Sequence, residues 1–345
     1  MSIEFCNTFK VKSPAPRQRE RNKTHRRYFL STWKTTVGGD PQVRIYPPLY
    51  LMGSGPEFAR SSCTYPRPYM NQALTPVDIA FDWEDTEEIY NRVATQTWEI
   101  FNHQFNRRFV FALLFTETLC TLFLFDRAGA VIGKPFNYHQ EPDKLGTLIC
   151  GLSSDSDKVE KLGFDRTIFS EEKTMYIHTR EASYRGKWKE TRYAVDDIIF
   201  QAPGFLGRTT TCFRVYKPED PTHFYVIKDA WVAFDDIPGK ESEGTLLQRI
   251  KDSGVTAGVV GLHHYEECRR SNKTGDIDTV LRNRMVTNPA GEEKKRDRLH
   301  NRIVMTSHGK TLDNFSTREE FILAFYDAIR GMLYIERHIL KPCFR

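Results

Sequence analysis

The chain has 345 residues, of which 39% are hydrophobic and 28% are charged, a composition typical of a soluble globular protein with room for two domains. The formal net charge of +5, from 50 basic and 45 acidic residues, is too small an excess to indicate nucleic-acid binding by itself. The seven cysteines have neither metal-ligand nor redox spacing, and their odd number favours free thiols in a reducing compartment.

Residues 1–76 are predicted to form a mostly disordered arm, because proline and basic residues are frequent there and no apolar period holds for long. A basic cluster in this arm fits a nuclear-import or nucleic-acid patch or a solvated surface, and we favour the solvated surface: Arg17, Arg19, Arg21, Lys23, Arg26 and Arg27. The first residues lack the apolar core of a signal peptide, so we expect an intracellular protein, without distinguishing cytoplasm from nucleus.

Residues 77–170 are predicted to form an α+β segment with a small antiparallel sheet. Apolar residues spaced for one helix face predict a helix over Glu87–Asn106, and a shorter helix is predicted over Asp143–Leu152. Runs of β-prone residues between turns predict three strands: Arg108–Phe115, Cys120–Asp126 and Val131–Phe136. Asp126 and Arg127 lie beside a turn, and we interpret them as turn-stabilising rather than catalytic.

The most apolar stretch, Phe109–Phe125, contains Thr116, Glu117 and Thr118 and is barely as long as a membrane span of ~20 residues. Two strands joined by a polar turn are therefore the preferred interpretation. We expect no membrane partner and no nucleic-acid partner for this chain.

Residues 171–316 are predicted to form a second lobe, with early strands at Met175–Thr179 and Arg192–Ile199. A turn containing Gly207, Arg208 and Thr209 then precedes a β-prone run. A glycine and small hydroxyl residues between strands let backbone amides approach phosphate oxygens. A hairpin without any ligand is equally consistent with this pattern.

Lys228 closes the apolar strand Tyr225–Asp229, which resembles the V-A-I-K strand of kinases, and the resemblance implies that its ammonium group would hold the phosphates of ATP. A strand that simply ends in an exposed lysine is the alternative. A predicted helix follows, in which Glu243 lies three and four residues before Leu246-Leu247 and therefore near the inward face. A carboxylate there can pair with Lys228 and fix it for phosphate binding. Glu241 is the rival partner, and a solvated helix face without a partner is the alternative.

A short apolar strand beginning at Arg302 leads into a polar connector that contains Met305, Ser307 and Gly309, and then into a predicted helix over Thr317–His338. Residues 268–301 are rich in charged residues and asparagine, which predicts a mobile insertion between two strands of the lobe.

His263 and His264 follow a predicted strand over Val259–Leu262. Adjacent residues of an extended chain point to opposite faces, so the two imidazoles are not expected to share a metal ion. We predict no metal-binding residue in the chain.

Taken in order, these segments resemble the fungal-type protein kinase family over roughly residues 78–340. The resemblance is carried by GRTT, VIKDAW, ESEGTLL, GV, RIVMTSHGKTL and FYDAIRG, at residues 207–210, 226–231, 241–247, 254–255, 302–312 and 325–331. The sequences FDRAG at 125–129 and LGFD at 162–165 are similar to parts of the segment that precedes the kinase lobe in that family.

The resemblance implies a protein-kinase-like small lobe, in which an antiparallel sheet carries one packed helix, with residues 317–345 as the start of the large lobe. It also implies ATP with Mg²⁺ as ligand and phosphorylation of protein Ser/Thr residues as the parent activity. Carried over by position, it assigns Gly207, Arg208 and Thr209 to the phosphate loop. Lys228 is then the phosphate-binding lysine and Glu243 its helix partner, and the adenine-binding hinge contains Met305, Ser307 and Gly309.

The sequence departs from the family pattern in two places. The phosphate loop has threonines where G-x-G-x-x-G has glycines, and the sequence ends at Arg345 before an H-R-D catalytic loop and a D-F-G segment. We therefore predict no catalytic residue and no Mg²⁺ ligand, and we expect this chain alone to be inactive in phosphoryl transfer.

Three hypotheses follow for the function. The first is that the sequence belongs to an active protein kinase whose catalytic segments lie downstream, and the second is that it is a non-catalytic, pseudokinase-type binding or regulatory module. The third hypothesis is a structural or interaction protein unrelated to nucleotides and built around residues 77–165. A protein partner or substrate is expected under the first two, and the sequence does not identify it.

Overall fold

A computed structural model describes these residues of the chain: 26–31, 49–55, 57–58, 70–153, 161–172, 174–182, 188–233, 241–256, 258–268, 285–287, 293–295, 298–306, 309 and 314–337. The chain divides into two compact units. Unit 1 comprises Met1–Met175 and Pro203–Leu206, and unit 2 comprises Tyr176–Ala202 and Gly207–Arg345.

Unit 1 contains a seven-stranded sheet with the order β1-β2-β3-β4-β5-β6, and β7 also pairs with β5. The strands are β1 (Arg26–Ser31), β2 (Leu49–Ser54), β3 (Ala73–Ile79), β4 (Phe109–Phe115), β5 (Leu119–Asp126), β6 (Gly129–Ile132) and β7 (Phe136–Asn137). A short 3₁₀ helix, Met70–Gln72, precedes β3.

The sheet of unit 1 is mixed, because β3 and β4 are parallel while its other strand pairs are antiparallel. The predicted antiparallel pairing is present from β4 to β7, and the parallel neighbour β3 was not predicted. Helix α1 (Thr86–His103) supplies the long crossover that parallel neighbours require. Asp85 caps α1 by accepting hydrogen bonds from two backbone amides, and Val93 and Ile100 are fully buried on its inner face.

Strands β1 and β2 and the first half of β3 lie within residues 1–76, which were predicted to be mostly disordered. At these strands the structure differs from the prediction, and Tyr50, Met52 and Leu74 are almost completely buried. The sequence signal is weak because β2 is buried nearly throughout and shows no polar–apolar alternation.

The predicted hairpin over the apolar stretch is present as β4 and β5, which pair in antiparallel register. The predicted strand over Val131–Phe136 is divided into β6 and β7, because Pro135 has no amide hydrogen to donate to a ladder. Asp126 stabilises its turn by accepting hydrogen bonds from the amides of Ala128 (2.9 Å) and Gly129 (3.1 Å). The shorter predicted helix is observed as α2 (Pro142–Leu152).

Arg107 is fully buried in unit 1 and connects three separate segments through its guanidinium group. It donates to the side chain of Gln104 (2.7 Å), to the carbonyl of Leu74 (2.7 Å) and to the carbonyl of Leu162, and it lies 3.9 Å from the ring centre of Phe164. Burial lowers the pKa of Arg107 to about 9.

The second large sheet has the order β13-β16-β12-β11-β10-β9-β8. Its strands are β8 (Ile168–Glu171), β9 (Thr174–Ala182), β10 (Trp188–Gln201), β11 (Thr211–Lys217), β12 (Asp220–Ala233), β13 (Leu262–Glu267) and β16 (Arg298–Met305), and β14 (Met285–Thr287) pairs separately with β15 (Glu293–Lys295). The pairs from β9 to β13 are antiparallel. Helix α3 (Glu243–Asp252) lies between β12 and β13 in the chain.

Two strand boundaries differ from the predictions in unit 2. Strand β13 begins at Leu262 rather than ending there, and β16 begins at Arg298, inside the predicted insertion 268–301. Both strands carry charged or histidine side chains among apolar ones, which weakens their sequence signal. The α+β class predicted for the chain is confirmed by two large sheets and four helices among the described residues.

Helix α4 (Arg318–Ile335) closes the described chain, with Thr317 as its cap, and its predicted last residue, His338, lies outside the described residues. Gly258 packs against its backbone, where an added Cβ would lie 1.8 Å from the carbonyl oxygen of Asp327. Most large apolar side chains of α4 are exposed: Ile322, Leu323, Phe325, Tyr326, Ile329, Met332, Leu333 and Tyr334. Among the described residues, no helix combines the length and apolarity needed to cross a membrane.

Candidate functional site

The candidate site is built on β12, where Lys228 and Asp229 are neighbours and point to opposite faces of the sheet. Lys228 lies opposite Cys212 of β11 and Ile303 of β16, whereas Asp229 lies opposite Thr211 and Arg302. Directly opposed residues share a face, so the two charges belong to two different side-chain layers.

On the first face, Arg208, Lys228 and Glu243 form what we call the Glu243 cluster. The Lys228 ammonium nitrogen lies 2.5 Å from Glu243 Oε1, and Arg208 Nη2 lies 3.0 Å from Glu243 Oε2. The side chains are 23% exposed for Lys228, 37% for Glu243 and 57% for Arg208. The ion pair predicted between Lys228 and Glu243 is therefore present, and Arg208 is a second cation on the same carboxylate.

Glu243 reaches Lys228 because the start of α3 is placed by two local features. Ser242 caps the helix by accepting a hydrogen bond from the Thr245 amide at 3.1 Å. Gly244 lies against Tyr265 of β13 so closely that an added Cβ would be 2.3 Å from the ring Cδ2. The rival carboxylate, Glu241, instead pairs with Arg249 at 2.6 Å.

The turn before β11 carries Gly207, Arg208 and Thr209, three of the predicted site residues. Gly207 has φ +89° and Thr209 has φ +37°, so the turn uses the left-handed region at both positions. The Arg208 carbonyl accepts a hydrogen bond from the Trp231 amide (2.8 Å), which holds the main chain of the turn beside β12. The buried Thr209 hydroxyl has no hydrogen-bond partner among the described residues.

The predicted hinge begins at Met305, the last residue of β16, which lies opposite Val226 of β12 and Leu262 of β13. Its position opposite Val226 places Met305 on the same face as Lys228. Ser307 lies outside the described residues, and a Cβ added at Gly309 would meet nothing within 4 Å. Proximity of Ser307 and Gly309 to the Glu243 cluster stays a prediction.

On the opposite face, Asp229, His300 and Arg302 form the Asp229 cluster. One Asp229 oxygen is bonded to His300 Nε2, and the other accepts from Arg302 Nη2 (2.7 Å) and Nε (3.0 Å). Arg302 also donates to the His178 carbonyl at 3.0 Å and lies 3.5 Å from a Glu266 carboxylate oxygen.

The Asp229 cluster is buried, and the Arg302 side chain has no exposed surface. Burial by itself would raise the pKa of Asp229, but His300 and Arg302 outweigh it and hold this pKa well below its usual value. The sequence pattern did not predict this cluster. The available signal was the polar residue beside Lys228, which must face the other side of the sheet.

The histidine pair lies within β13 rather than after a strand. His264 is buried and its Nε2 lies 3.1 Å from Thr179 Oγ1, whereas the ring of His263 is 5.2 Å from that of Tyr225. Burial lowers the pKa of His264 to about 4. The two imidazoles therefore have different environments.

These features define an α+β protein with an antiparallel sheet, a helix beside it and a lysine–glutamate pair between strand and helix. A model of the fungal protein kinase family matches residues 67–341, which is most of the chain. The chain therefore belongs to the fungal protein kinase family. No curated protein and no solved structure matches it.

Proposed function

We propose that unit 2 binds ATP through the Glu243 cluster, as the nucleotide-binding part of a kinase-like protein. The observation that carries this proposal is the ion pair between Lys228 and Glu243. In kinases, such a pair holds the lysine for the α- and β-phosphates of ATP. With Arg208 included, two cations share one carboxylate, and a positive charge remains for a phosphate group.

Apolar side chains on the same face support a site for the adenine ring. Every second residue of a strand faces the same side of the sheet, and three apolar residues share the face of Lys228: Val226, Ile303 and Met305. Val226 and Ile303 are buried and Met305 is partly buried, so a planar base would find an apolar surface next to the phosphate-binding cations.

The described residues of the two clusters are better suited to bind ATP than to bind Mg²⁺. Both Glu243 oxygens already bond cations, and the Asp229 carboxylate is bonded to His300 and Arg302 on the opposite face. Mg²⁺ prefers carboxylate and phosphate oxygens in octahedral geometry. We therefore assign no described residue to the metal and derive no step through it.

Phosphoryl transfer to protein Ser/Thr hydroxyls is the activity that the family suggests for this chain. The 345 residues contain neither H-R-D nor D-F-G, so we assign no catalytic role to any of them. A non-catalytic regulatory module is the second candidate. Transfer of labelled γ-phosphate from ATP to a generic Ser/Thr protein substrate by this chain would contradict the second candidate.

The test of ATP binding is calorimetric and thermal titration of the full chain with ATP, with and without Mg²⁺. ATP at 100 times its Kd should raise the free energy of unfolding by about 2.7 kcal/mol. Lys228→Ala should abolish this shift while changing the nucleotide-free stability by less than about 1 kcal/mol, because the pair is partly exposed.

Lys189→Ala is the matched control, since Lys189 is an exposed lysine on β10 of the same sheet. It should bind ATP like the wild type. Equal ATP affinity in the wild type and in Lys228→Ala would contradict the proposed function.

A further inference from the structure

Both carboxylate oxygens of Glu243 are occupied, and the two cations that occupy them come from different elements. Lys228 is fixed in the middle of β12, whereas Arg208 belongs to the turn before β11. We propose that Arg208 is a nucleotide-responsive latch, which bonds Glu243 when no nucleotide is bound and transfers to the terminal phosphate of ATP when it is. This inference rests on the proposed function.

The Arg208 side chain is free to exchange partners while its main chain stays in place. Its carbonyl is hydrogen-bonded to the Trp231 amide, and the neighbouring Thr210 carbonyl accepts from Ala202 at 2.8 Å. The side chain is more than half exposed, so rotation of the guanidinium encounters solvent rather than packed neighbours. An exposed ion pair of this kind contributes roughly 0.2–1 kcal/mol, so it is readily broken.

A phosphate is a stronger competitor for Arg208 than the carboxylate is. The guanidinium fork donates two parallel hydrogen bonds to phosphate oxygens, and a terminal phosphate carries more charge than one carboxylate. Arg208 bonds Glu243 through one nitrogen at 3.0 Å, so its second donor edge is available for a new partner.

The composition of the turn explains why a side-chain cation is needed for phosphate binding. A glycine-rich loop contacts phosphates through backbone amides, but here Arg208 and three threonines follow Gly207. A side-chain cation at position 208 supplies the positive charge that a glycine-poor turn cannot supply by close approach. Affinity should therefore increase with the number of phosphates, in the order AMP, ADP, ATP.

Release of Arg208 also changes the number of cations that bond the Glu243 carboxylate. In the structure the carboxylate is divided between two cations, and after the exchange it pairs with Lys228 alone. The competing carboxylate lowers the apparent affinity for ATP, because Arg208 must leave it first. This competition distinguishes a latch from a simple additional phosphate contact.

A double-mutant cycle tests the latch, with the Kd for ATP, ADP and AMP measured by calorimetry on the full chain. Arg208→Ala should weaken ATP binding about tenfold, the size of one charge-assisted hydrogen bond, and AMP binding by less than about twofold. In a Glu243→Gln background the same change should cost about thirtyfold, because the competitor has been removed.

Arg180→Ala is the matched control, since Arg180 forms an exposed 3.0 Å ion pair with Glu190 on the same sheet. It should leave all three affinities unchanged. If Arg208→Ala weakens ATP binding equally in both backgrounds, or not at all, the latch is overturned. If Lys228→Ala still loses ATP affinity in that case, the proposed function remains supported. Failure of the wild type to bind millimolar ATP overturns both.

Discussion

Lys228 and Asp229 are adjacent in sequence, yet they belong to two ionic clusters with opposite properties. The Glu243 cluster is partly exposed and joins a strand, a helix and a turn, whereas the Asp229 cluster is buried between strands of one sheet. Strand alternation places one charge on each face, and burial then decides what each charge can do. Exposed charges can change partners, and buried charges hold their positions.

The two clusters should differ strongly in their contribution to stability. Breaking an exposed pair costs at most about 1 kcal/mol, because water replaces the lost partner. Removing one member of a buried pair leaves a charge without compensation in a medium of low polarity, which costs about 3–5 kcal/mol. The predictions below test this difference, from the largest effect to the smallest.

The largest effect is expected for Arg302→Ala. Asp229 then loses two hydrogen bonds to a fully buried guanidinium, so the free energy of unfolding should fall by about 3–5 kcal/mol in a urea titration. Arg180→Ala, which breaks an exposed pair on the same sheet, should cost less than about 1 kcal/mol.

The double replacement Asp229→Leu with Arg302→Met refines this test. Well-packed apolar residues can replace a buried ion pair at little cost, so the double variant should recover part of the loss. A loss below 1 kcal/mol in Arg302→Ala would show that the buried cluster behaves like the exposed one.

A smaller effect on the free energy of unfolding is expected from the protonation of His264, which lies on the same face of the sheet as the Asp229 cluster. Burial lowers the pKa of His264 from 6.5 to about 4, and its Nδ1 has no partner among the described residues. Between these pH values the unfolded chain binds a proton that the folded chain does not, so stability falls as the pH falls.

Over this window the loss should reach about 3 kcal/mol, at 1.36 kcal/mol for each pKa unit. Other charged groups act on His264 in the same structure: His263, Lys217, Lys251 and Glu181. Urea titrations from pH 7 to pH 4 measure the slope, which His264→Gln should reduce. The exposed His223→Gln is the control, and an unchanged slope in His264→Gln would refute this account.

The smallest of the three effects is expected for Gly244→Ala, which connects the sheet with the exposed cluster. The added Cβ would lie 2.3 Å from Cδ2 and 2.5 Å from Cγ of Tyr265, so α3 must move outward. We expect a loss of about 1–3 kcal/mol in the free energy of unfolding and weaker ATP binding, because Glu243 moves with the helix.

Gly146→Ala in α2 is the matched control for this change. Its added Cβ meets nothing within 4 Å, so alanine should stabilise the helix by about 0.5–1 kcal/mol. Effects of the same sign in the two variants would show that helix propensity, and not the contact with Tyr265, controls position 244.

Much of the local structure could be predicted from the sequence. The apolar runs of β4 and β5, the amphipathic period of α1 and the lysine at position 228 are local patterns, and each lies close to its predicted place. The pairing of Lys228 with Glu243 could also be predicted, because the order of strand, lysine and helix resembles a known family.

Three of the features that were not predicted depend on pairing between residues distant in sequence. The parallel contact of β3 with β4 joins strands separated by α1, and within residues 1–76 β1 pairs with β2, which in turn pairs with β3. Likewise Arg302 meets Asp229 across 73 positions of sequence, and no local pattern marks either residue as a partner.

By itself the sequence determined which residues are apolar, which segments prefer helix or strand, and that a lysine and a glutamate occupy the order typical of the kinase family. The tertiary structure alone decided that Arg208 shares Glu243 with Lys228, and that Asp229 is paired with Arg302 and His300 on the opposite face of the sheet. Side-chain charge is a local property, whereas burial and the choice of partner depend on strand register and helix packing.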